Sequence, residues 1–206
     1  MISTVLFDMN DVLFRYDRGV RVAHLARTIG KPVAAVEAAI WGSGFEDCGD
    51  AGAMDADAYL AGFGERLGRP LTEDAWAEAL RAAVTSIPET LALAALVRRR
   101  ARVAVLTNNN LLVKRAVDAV FPELRPVFGE DFFVSAEFRA RKPEPDAYLG
   151  CIARLGATAD ATLFIDDSAR NVAGAESAGL RAHLYRTPAG VEEALKLEGL
   201  LDVDRS

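Results

Sequence analysis

The sequence contains very few of the residues that build cysteine or histidine metal sites. Its 206 residues include two cysteines, Cys48 and Cys151, and two histidines, His24 and His183. The cysteines lie far apart and form no CxxC pair, which excludes a disulfide-dense scaffold and a cysteine zinc site. Two histidines are too few for a histidine metal cluster.

Positive charge is also scarce. Lysine and arginine number 24 against 30 aspartates and glutamates, which gives a net charge of −6, and only four of the basic residues are lysines. The longest basic run is the short Arg98–Arg100. A protein that grips duplex DNA or RNA usually presents a basic face, so we do not expect a nucleic-acid partner.

Long apolar runs are missing as well. No apolar stretch approaches the ~20 residues that a membrane span needs. The N-terminal apolar run ends at Phe7 and lacks the basic start of a signal peptide. We therefore expect a cytoplasmic protein without a membrane partner. The chain is 51% apolar and 26% charged, which is typical of a globular protein with a sizeable core.

Apolar patterning alternates between strands and helices along most of the chain. A short β-branched run, Ile2–Phe7, predicts a buried first strand, and about 70 residues of helical periodicity follow it. In that part, Asp55 and Thr72 are expected to cap two helices, and the Gly- and Asp-rich stretch 42–57 is expected to be a break between helices. Further strands are predicted at Arg102–Leu106, Phe132–Val134, Ala161–Ile165 and Arg181–Leu184, with helices between them.

This order predicts an α/β fold. Its centre would be a doubly wound, Rossmann-like parallel sheet, with a small helical cap inserted after the first strand. We assign residues 1–14 and 88–206 to the core and residues 15–87 to the cap. No oligomerisation element is recognisable, so the oligomeric state stays open, with a monomer as one option.

Polar residues follow the predicted strands, where parallel sheets bind ligands. They are Asp8 and Asn10 after the first strand, Thr107 and Asn108 after the second, Lys142 near the third, and Asp166 and Asp167 after the fourth. Each alone has an ordinary explanation as a turn, cap or surface residue. Four such groups in order at strand ends favour a functional interpretation.

The chemistry of this set is coherent. Three converging carboxylates repel one another unless a hard divalent cation such as Mg²⁺ lies between them. A threonine hydroxyl, an asparagine amide and a lysine ammonium are donors for phosphate oxygens. Asp8, at a strand tip, could attack phosphorus as a carboxylate nucleophile. The set predicts a site that handles a phosphorylated small molecule.

Four stretches of the sequence resemble the haloacid dehalogenase-like (HAD) hydrolase superfamily. They are Val5–Leu13, Val105–Asn108, Arg141–Pro145 and Phe164–Ser168. The residues around Phe121–Glu123 and 135–142 look closest to the branch that includes bacterial glucose-1-phosphatase-like enzymes. Four motifs in order make the resemblance specific, and it covers the chain from residue 2 to about 187 apart from the insertion.

The resemblance implies a role for each matching position. Asp8 would be the aspartyl nucleophile that forms a phosphoaspartate, and Lys142 would stabilise the developing charge. Thr107 and Asn108 would position the phosphate. The Mg²⁺ ligands would be Asp8, the backbone carbonyl of Asn10, and Asp167, with Asp166 nearby or acting through water. The insertion would be the cap that selects the substrate.

One position departs from the pattern of the family's phosphatases. They usually carry an aspartate two places after the nucleophile, which protonates the leaving oxygen and then activates water. Here that residue is Asn10, which cannot shuttle a proton, and the usual glycine after it is Asp11. General acid–base help is typically worth ~10²–10⁴-fold, so poor leaving groups would suffer most. The glucose-1-phosphatase-like branch is similar in lacking this aspartate.

Three functions remain open from the sequence. The first is a Mg²⁺-dependent phosphatase of a small phosphorylated metabolite, with sugar phosphates as one class. The second is a metal-independent dehalogenase-type hydrolase, against which the intact Asp166–Asp167 pair speaks. The third is a weakly catalytic or non-catalytic phosphate-binding regulatory protein. Substrate contacts are expected at Trp41, Phe45 and Asp47, although the two aromatic residues also fit a cap core.

Overall fold

A five-stranded parallel sheet forms the centre of the protein. The computed structural model describes residues 1–202. In chain order the strands are β1 (Thr4–Phe7), β2 (Phe14–Tyr16), β3 (Val84–Ser86), β4 (Arg102–Thr107), β5 (Phe132–Val134), β6 (Thr162–Asp166) and β7 (Arg181–Leu184). The large sheet has the order β5-β4-β1-β6-β7, and all of its neighbours are parallel. The predicted α/β fold is confirmed.

Residues 1–202 contain twelve helices, of which the first five belong to the insertion. In chain order they are α1 (Arg18–Ile29), α2 (Val33–Ile40), α3 (Phe45–Asp50), α4 (Ala56–Arg66), α5 (Glu73–Ala82), α6 (Pro88–Val97), α7 (Leu111–Arg115), α8 (Val117–Val120), α9 (Leu124–Phe128), α10 (Pro145–Leu155), α11 (Ala169–Ser177) and α12 (Pro188–Leu197). Short 3₁₀ turns cover Ser135–Phe138 and Ala159–Ala161. Within residues 1–202, none of these helices has the length and apolar character to cross a bilayer.

Alternation along the central strands divides the core into two layers. Val5 and Phe7 of β1 pack into the apolar cluster on one face of the sheet, whereas Leu6 packs with Phe164 on the other. The first cluster continues without a break into the inserted helices, where it includes Trp76. The helical insertion is therefore anchored to the sheet by shared apolar packing.

The insertion begins and ends at one short ribbon. Strands β2 and β3 pair antiparallel, with Phe14 opposite Ser86, so the chain leaves the sheet and returns at the same place. Helices α1 to α5 lie between these strands. The limits of 15–87 for the cap, and of 1–14 with 88–206 for the core, stay a prediction, and residues 203–206 of that core lie outside the described residues.

Several local predictions met different outcomes. The caps at Asp55 and Thr72 are confirmed, because their side chains accept hydrogen bonds from Ala58 N and Ala75 N. The break predicted at 42–57 is wrong in part, since it contains α3. That helix has six residues with little intrinsic propensity, and packing stabilises it: Phe45 stacks on Tyr59 with ring centroids 5.0 Å apart.

The remaining differences involve very short elements. Between the predicted strands Arg102–Leu106 and Phe132–Val134, the sequence pattern indicates one helix at 111–120, but the structure has α7 and α8 there; α9 and the ribbon strands were not predicted. Elements of three to five residues are too short to show a periodic apolar pattern. Their positions follow from packing rather than from local sequence.

The cap is held against the core by a close approach of backbones. Gly52 has a φ of +72°, and a Cβ atom there would lie 2.4 Å from the carbonyl oxygen of Ala136. Only glycine fits such a contact. An ion pair between Arg115 and Asp57, 2.7 Å long, joins the two parts elsewhere.

Candidate active site

Lys142 lies at the centre of the site. Its Nζ donates to Asp8 Oδ1 and to Asp166 Oδ2, each at 2.6 Å. All three residues are buried, with 4%, 7% and 0% of their surface exposed. Asp8 follows β1 and Asp166 ends β6, the strand beside it, so the parallel register brings the two carboxylates together.

Asp166 accepts hydrogen bonds from three residues. Besides Lys142, it accepts hydrogen bonds from Ser168 N at 2.8 Å and from Asn171 Nδ2 at 3.1 Å. Asp167 is only half-buried. Carboxylate oxygens of Asp8, Asp166 and Asp167 lie within 4.8 Å of one another. Three carboxylates face one ammonium, and this excess of negative oxygen ligands fits a hard divalent cation.

Burial and mutual repulsion perturb the acids of this cluster. Burial raises the pKa of Asp8 to about 7; the charge of Asp166 adds to the effect, and Lys142 opposes it. The pKa of Asp167 is raised by burial and by Asp166. Burial lowers the pKa of Lys142, but the two carboxylates outweigh it and leave that pKa above its ordinary value. A cation bound here would favour the ionised carboxylates.

Asn108 holds Lys142 in place. Its Nδ2 donates to the backbone oxygen of Lys142 at 2.9 Å, and its Oδ1 accepts from the backbone N of Lys142 at 2.8 Å. Thr107 is buried, and its Oγ1 accepts from Asn109 Nδ2 at 2.9 Å. We call Asp8, Thr107, Asn108, Lys142, Asp166 and Asp167 the strand-end cluster. The structure brings all six together, whereas the phosphate contacts of Thr107 and Asn108 stay a prediction.

A polar cavity of about 270 Å³ lies between the cap and the strand ends. We call it the cap cavity. Asn10, Asn108, Trp41 and Asp47 line it. Phe45 is instead 2% exposed and packs in the cap core. It therefore fits the predicted role in the cap core rather than the predicted substrate contact.

Four further cap-cavity residues were not singled out from the sequence. They are Arg21 on α1, Glu46 and Asp50 on α3, and Arg141 beside Lys142. Arg21 lies over the rings of Trp41 and Trp76, at 5.4 and 5.1 Å, with Nη1 3.4 Å from Glu46 Oε1. The one available signal was the stretch 42–57, which holds five acids and no base.

Several buried polar atoms around this cavity lack a hydrogen-bond partner among residues 1–202. They are Asn10 Oδ1, Arg21 Nε and Nη2, Asp50 Oδ1 and Arg141 Nε. Buried polar groups are nearly always bonded, so this concentration favours a ligand-binding role. The charged partners are balanced, because Arg21 faces Glu46 and Arg141 Nη2 lies 2.8 Å from Asp47.

Comparisons with known proteins agree with this geometry. The family model described as haloacid dehalogenase-like hydrolase matches residues 2–179. Phosphatase MT3486 of Mycobacterium tuberculosis is 32% identical over 191 residues, which cover 89% of this chain and 87% of that protein.

Two solved structures show the same fold. A HAD family enzyme from Bacteroides thetaiotaomicron, in complex with magnesium and inorganic phosphate, is 22% identical with a TM-score of 0.76 and covers 90% of this chain and 95% of its own. L-2-haloacid dehalogenase from Xanthobacter autotrophicus is 20% identical with a TM-score of 0.63 and covers 97% and 83%. With the family model matching most of its length, the chain belongs to the haloacid dehalogenase-like hydrolases.

Proposed function

We propose that this protein is a Mg²⁺-dependent phosphatase of a small phosphorylated metabolite, acting through a phosphoaspartate on Asp8. The observation that carries the proposal is the contact of Asp8 with Lys142 beside two further carboxylates. The mycobacterial relative is named a phosphatase, and the Bacteroides enzyme binds magnesium and inorganic phosphate, which supports the same chemistry.

The strand-end cluster suits phosphoryl transfer in two steps. A carboxylate oxygen of Asp8 attacks phosphorus, and the bond from phosphorus to the leaving oxygen breaks. Water then attacks the phosphoaspartate, which releases inorganic phosphate and regenerates Asp8. Lys142 Nζ, Thr107 Oγ1 and the Asn108 amide offer donors to the phosphate oxygens throughout.

The metal would be held by oxygen ligands of this chain. We assign Asp8, Asp167 and the backbone carbonyl of Asn10 as ligands, with Asp166 adjacent, because its oxygens already accept four hydrogen bonds. When bound, Mg²⁺ supplies positive charge that favours ionised Asp8 and offsets charge on the transferred group.

The cap cavity favours a small polyhydroxylated leaving group. Among residues 1–202 it offers unpartnered N–H groups, on Arg21 and Arg141, and unpartnered side-chain oxygens, on Asn10 and Asp50. A sugar hydroxyl donates and accepts at once, so it can satisfy both kinds of atom. Because the charged pairs around the cavity are balanced, a neutral leaving group fits better than a charged one. We propose sugar phosphates as the substrate class, with Trp41 and Asp47 as contacts.

The test is a phosphate-release screen over sugar phosphates and acyl phosphates, with and without Mg²⁺. We expect release that depends on Mg²⁺ and is lost when EDTA removes it. Halide release from 2-haloacids without metal would instead establish the dehalogenase-type reaction. Folded protein that binds Mg²⁺ but releases phosphate from no substrate would favour the non-catalytic phosphate-binding alternative.

A further inference from the structure

The proposed reaction needs a proton donor that the strand-end cluster does not supply. When phosphorus leaves an alkyl oxygen, that oxygen must gain a proton, and Asn10 cannot transfer one. Lys142 is already bonded to two carboxylates, and the proposed function assigns Asp8 to the attack on phosphorus and Asp167 to the metal. The donor must therefore reach the cavity from another element.

Three carboxyl groups of α3 line the cap cavity, and two of them are engaged. Glu46 accepts from Tyr59 Oη at 2.8 Å and faces Arg21, while Asp47 is exposed and bonded to Arg141. Asp50 differs from both. It is 9% exposed, and its Oδ1 has no hydrogen-bond partner in the described part of the chain.

Asp50 is tied to the sheet edge although it belongs to the cap. Ser135 Oγ donates to the backbone oxygen of Asp50 at 2.7 Å. The same hydroxyl accepts from the backbone N of Asn109 at 3.1 Å, directly after the phosphate-positioning pair. Asp50, Asn10 and Asn108 line one cavity. These contacts hold the backbone of Asp50 beside the loop after β4, and its carboxyl lines the cavity that Asn10 and Asn108 also line.

The surroundings of Asp50 favour its protonated form. Burial raises the pKa of Asp50 well above its ordinary value, and the charges of Glu46 and Asp47 add to this effect. Arg141, from the loop before α10, and Arg21, from α1, act in the opposite direction without cancelling it. An aspartate whose pKa is raised in this way is suited to donate a proton.

We propose that Asp50 is the general acid and base of this enzyme, in the place that Asn10 cannot fill. The inference rests on the proposed phosphatase function. In the first step the Asp50 proton passes to the leaving oxygen as the bond from phosphorus breaks and Asp8 becomes phosphorylated. In the second, the Asp50 carboxylate takes a proton from the attacking water. Inorganic phosphate leaves, and both aspartates return to their starting states.

The test compares leaving groups in Asp50→Asn. A sugar or alkyl phosphate needs a proton on its leaving oxygen, whereas the p-nitrophenolate of p-nitrophenyl phosphate leaves without one. We expect kcat/KM for alkyl phosphates to fall about 100-fold, and kcat/KM for p-nitrophenyl phosphate to change less than about threefold. Because the variant also hydrolyses the phosphoaspartate slowly, p-nitrophenol should appear in a burst.

Matched variants separate this role from a structural one. Glu78→Gln removes an exposed carboxyl elsewhere on the cap and should leave both substrate classes unchanged. Adding Asn10→Asp to Asp50→Asn should restore alkyl phosphate turnover. Ser135→Ala keeps the carboxyl but removes the hydrogen bond to the Asp50 backbone oxygen. Its kcat/KM should fall more for alkyl phosphates than for p-nitrophenyl phosphate, by less than in Asp50→Asn. In the wild type, alkyl kcat/KM should decline as pH rises through the Asp50 pKa, and Asp50→Asn should remove that limb.

Two results would overturn the proposal. One is an equal loss on both substrate classes in Asp50→Asn, which would mean a structural role. The other is unchanged alkyl phosphate turnover, which would place the proton donor elsewhere. A wild type that releases phosphate from no substrate would refute the proposed phosphatase function itself, which is a separate outcome.

Discussion

The strand-end cluster and the cap cavity face each other but satisfy their polar groups in opposite ways. In the strand-end cluster, side chains bond to one another, as Lys142 does with Asp8 and Asp166. Around the cap cavity, buried atoms of Arg21, Asp50 and Arg141 lack protein partners in residues 1–202. The first region is preorganised without a substrate, and the second has hydrogen bonds left to offer one.

Their charge balance differs too. The strand-end cluster sets one ammonium against three carboxylates, which favours a cation and a phosphate together. Around the cap cavity, an arginine faces one carboxylate in each ion pair, as Arg21 faces Glu46. Under the proposed function, the strand-end cluster transfers the phosphoryl group and the cap cavity recognises the rest of the substrate, so variants in the two regions should lose activity in different ways.

The largest effect is expected from Asp8→Asn. This isosteric change removes the proposed nucleophile, so phosphate release should fall by about 10⁴-fold or more on every substrate. The thermal midpoint should stay close to that of the wild type, because Lys142 keeps Asp166 as a partner. Steady-state phosphate release and a melting curve measure both. Residual turnover within tenfold of the wild type would mean that another group attacks phosphorus.

In the cap cavity, the main effect expected of Arg21→Met is a lower free energy of unfolding. It leaves Glu46 as a buried carboxylate without its cation, and breaking a buried pair costs about 3–5 kcal/mol. Stacking of the guanidinium against Trp41 and Trp76 is lost as well. Urea unfolding measures the change, with Arg18→Met as the exposed control. A cost below 1 kcal/mol would show that Tyr59 alone satisfies Glu46.

The two regions also differ in how far the sequence reveals them. The strand-end cluster could be predicted because its residues directly follow strands, and parallel strands bring such positions to one edge. The cap cavity combines α1, α3 and the loop before α10, and periodicity does not show that these meet. Helix α3 was itself missed, and Phe45 was assigned to the cavity although its ring is in the core.

Asn108→Ala tests whether preorganisation of the strand-end cluster matters by itself. The variant removes two hydrogen bonds to the Lys142 backbone and leaves that N–H and C=O without their partner. The free energy of unfolding should drop by about 1–3 kcal/mol, and kcat should fall as Lys142 Nζ loses its position. Asn108→Asp keeps the acceptor but sets an oxygen against the Lys142 carbonyl oxygen in place of the donor, so its melting temperature should also lie clearly below that of wild type. Equal melting temperatures for all three proteins would show that the Asn108 side chain does not hold the Lys142 backbone in place.

The smallest effect is expected at Asp11, in the turn between β1 and β2. Its φ is +58°, in the left-handed region, and its Oδ1 accepts a long hydrogen bond from Tyr16 N, at 3.4 Å. Asp11→Gly removes the backbone strain but raises the conformational entropy of the unfolded chain. The two effects oppose each other, so the free energy of unfolding should stay within about 1 kcal/mol of wild type. Asp11→Ala keeps the strain without the side-chain bond and should destabilise by about 1 kcal/mol. Calorimetric melting ranks the three. If the glycine variant proves less stable than the alanine variant, the Asp11 backbone is unstrained.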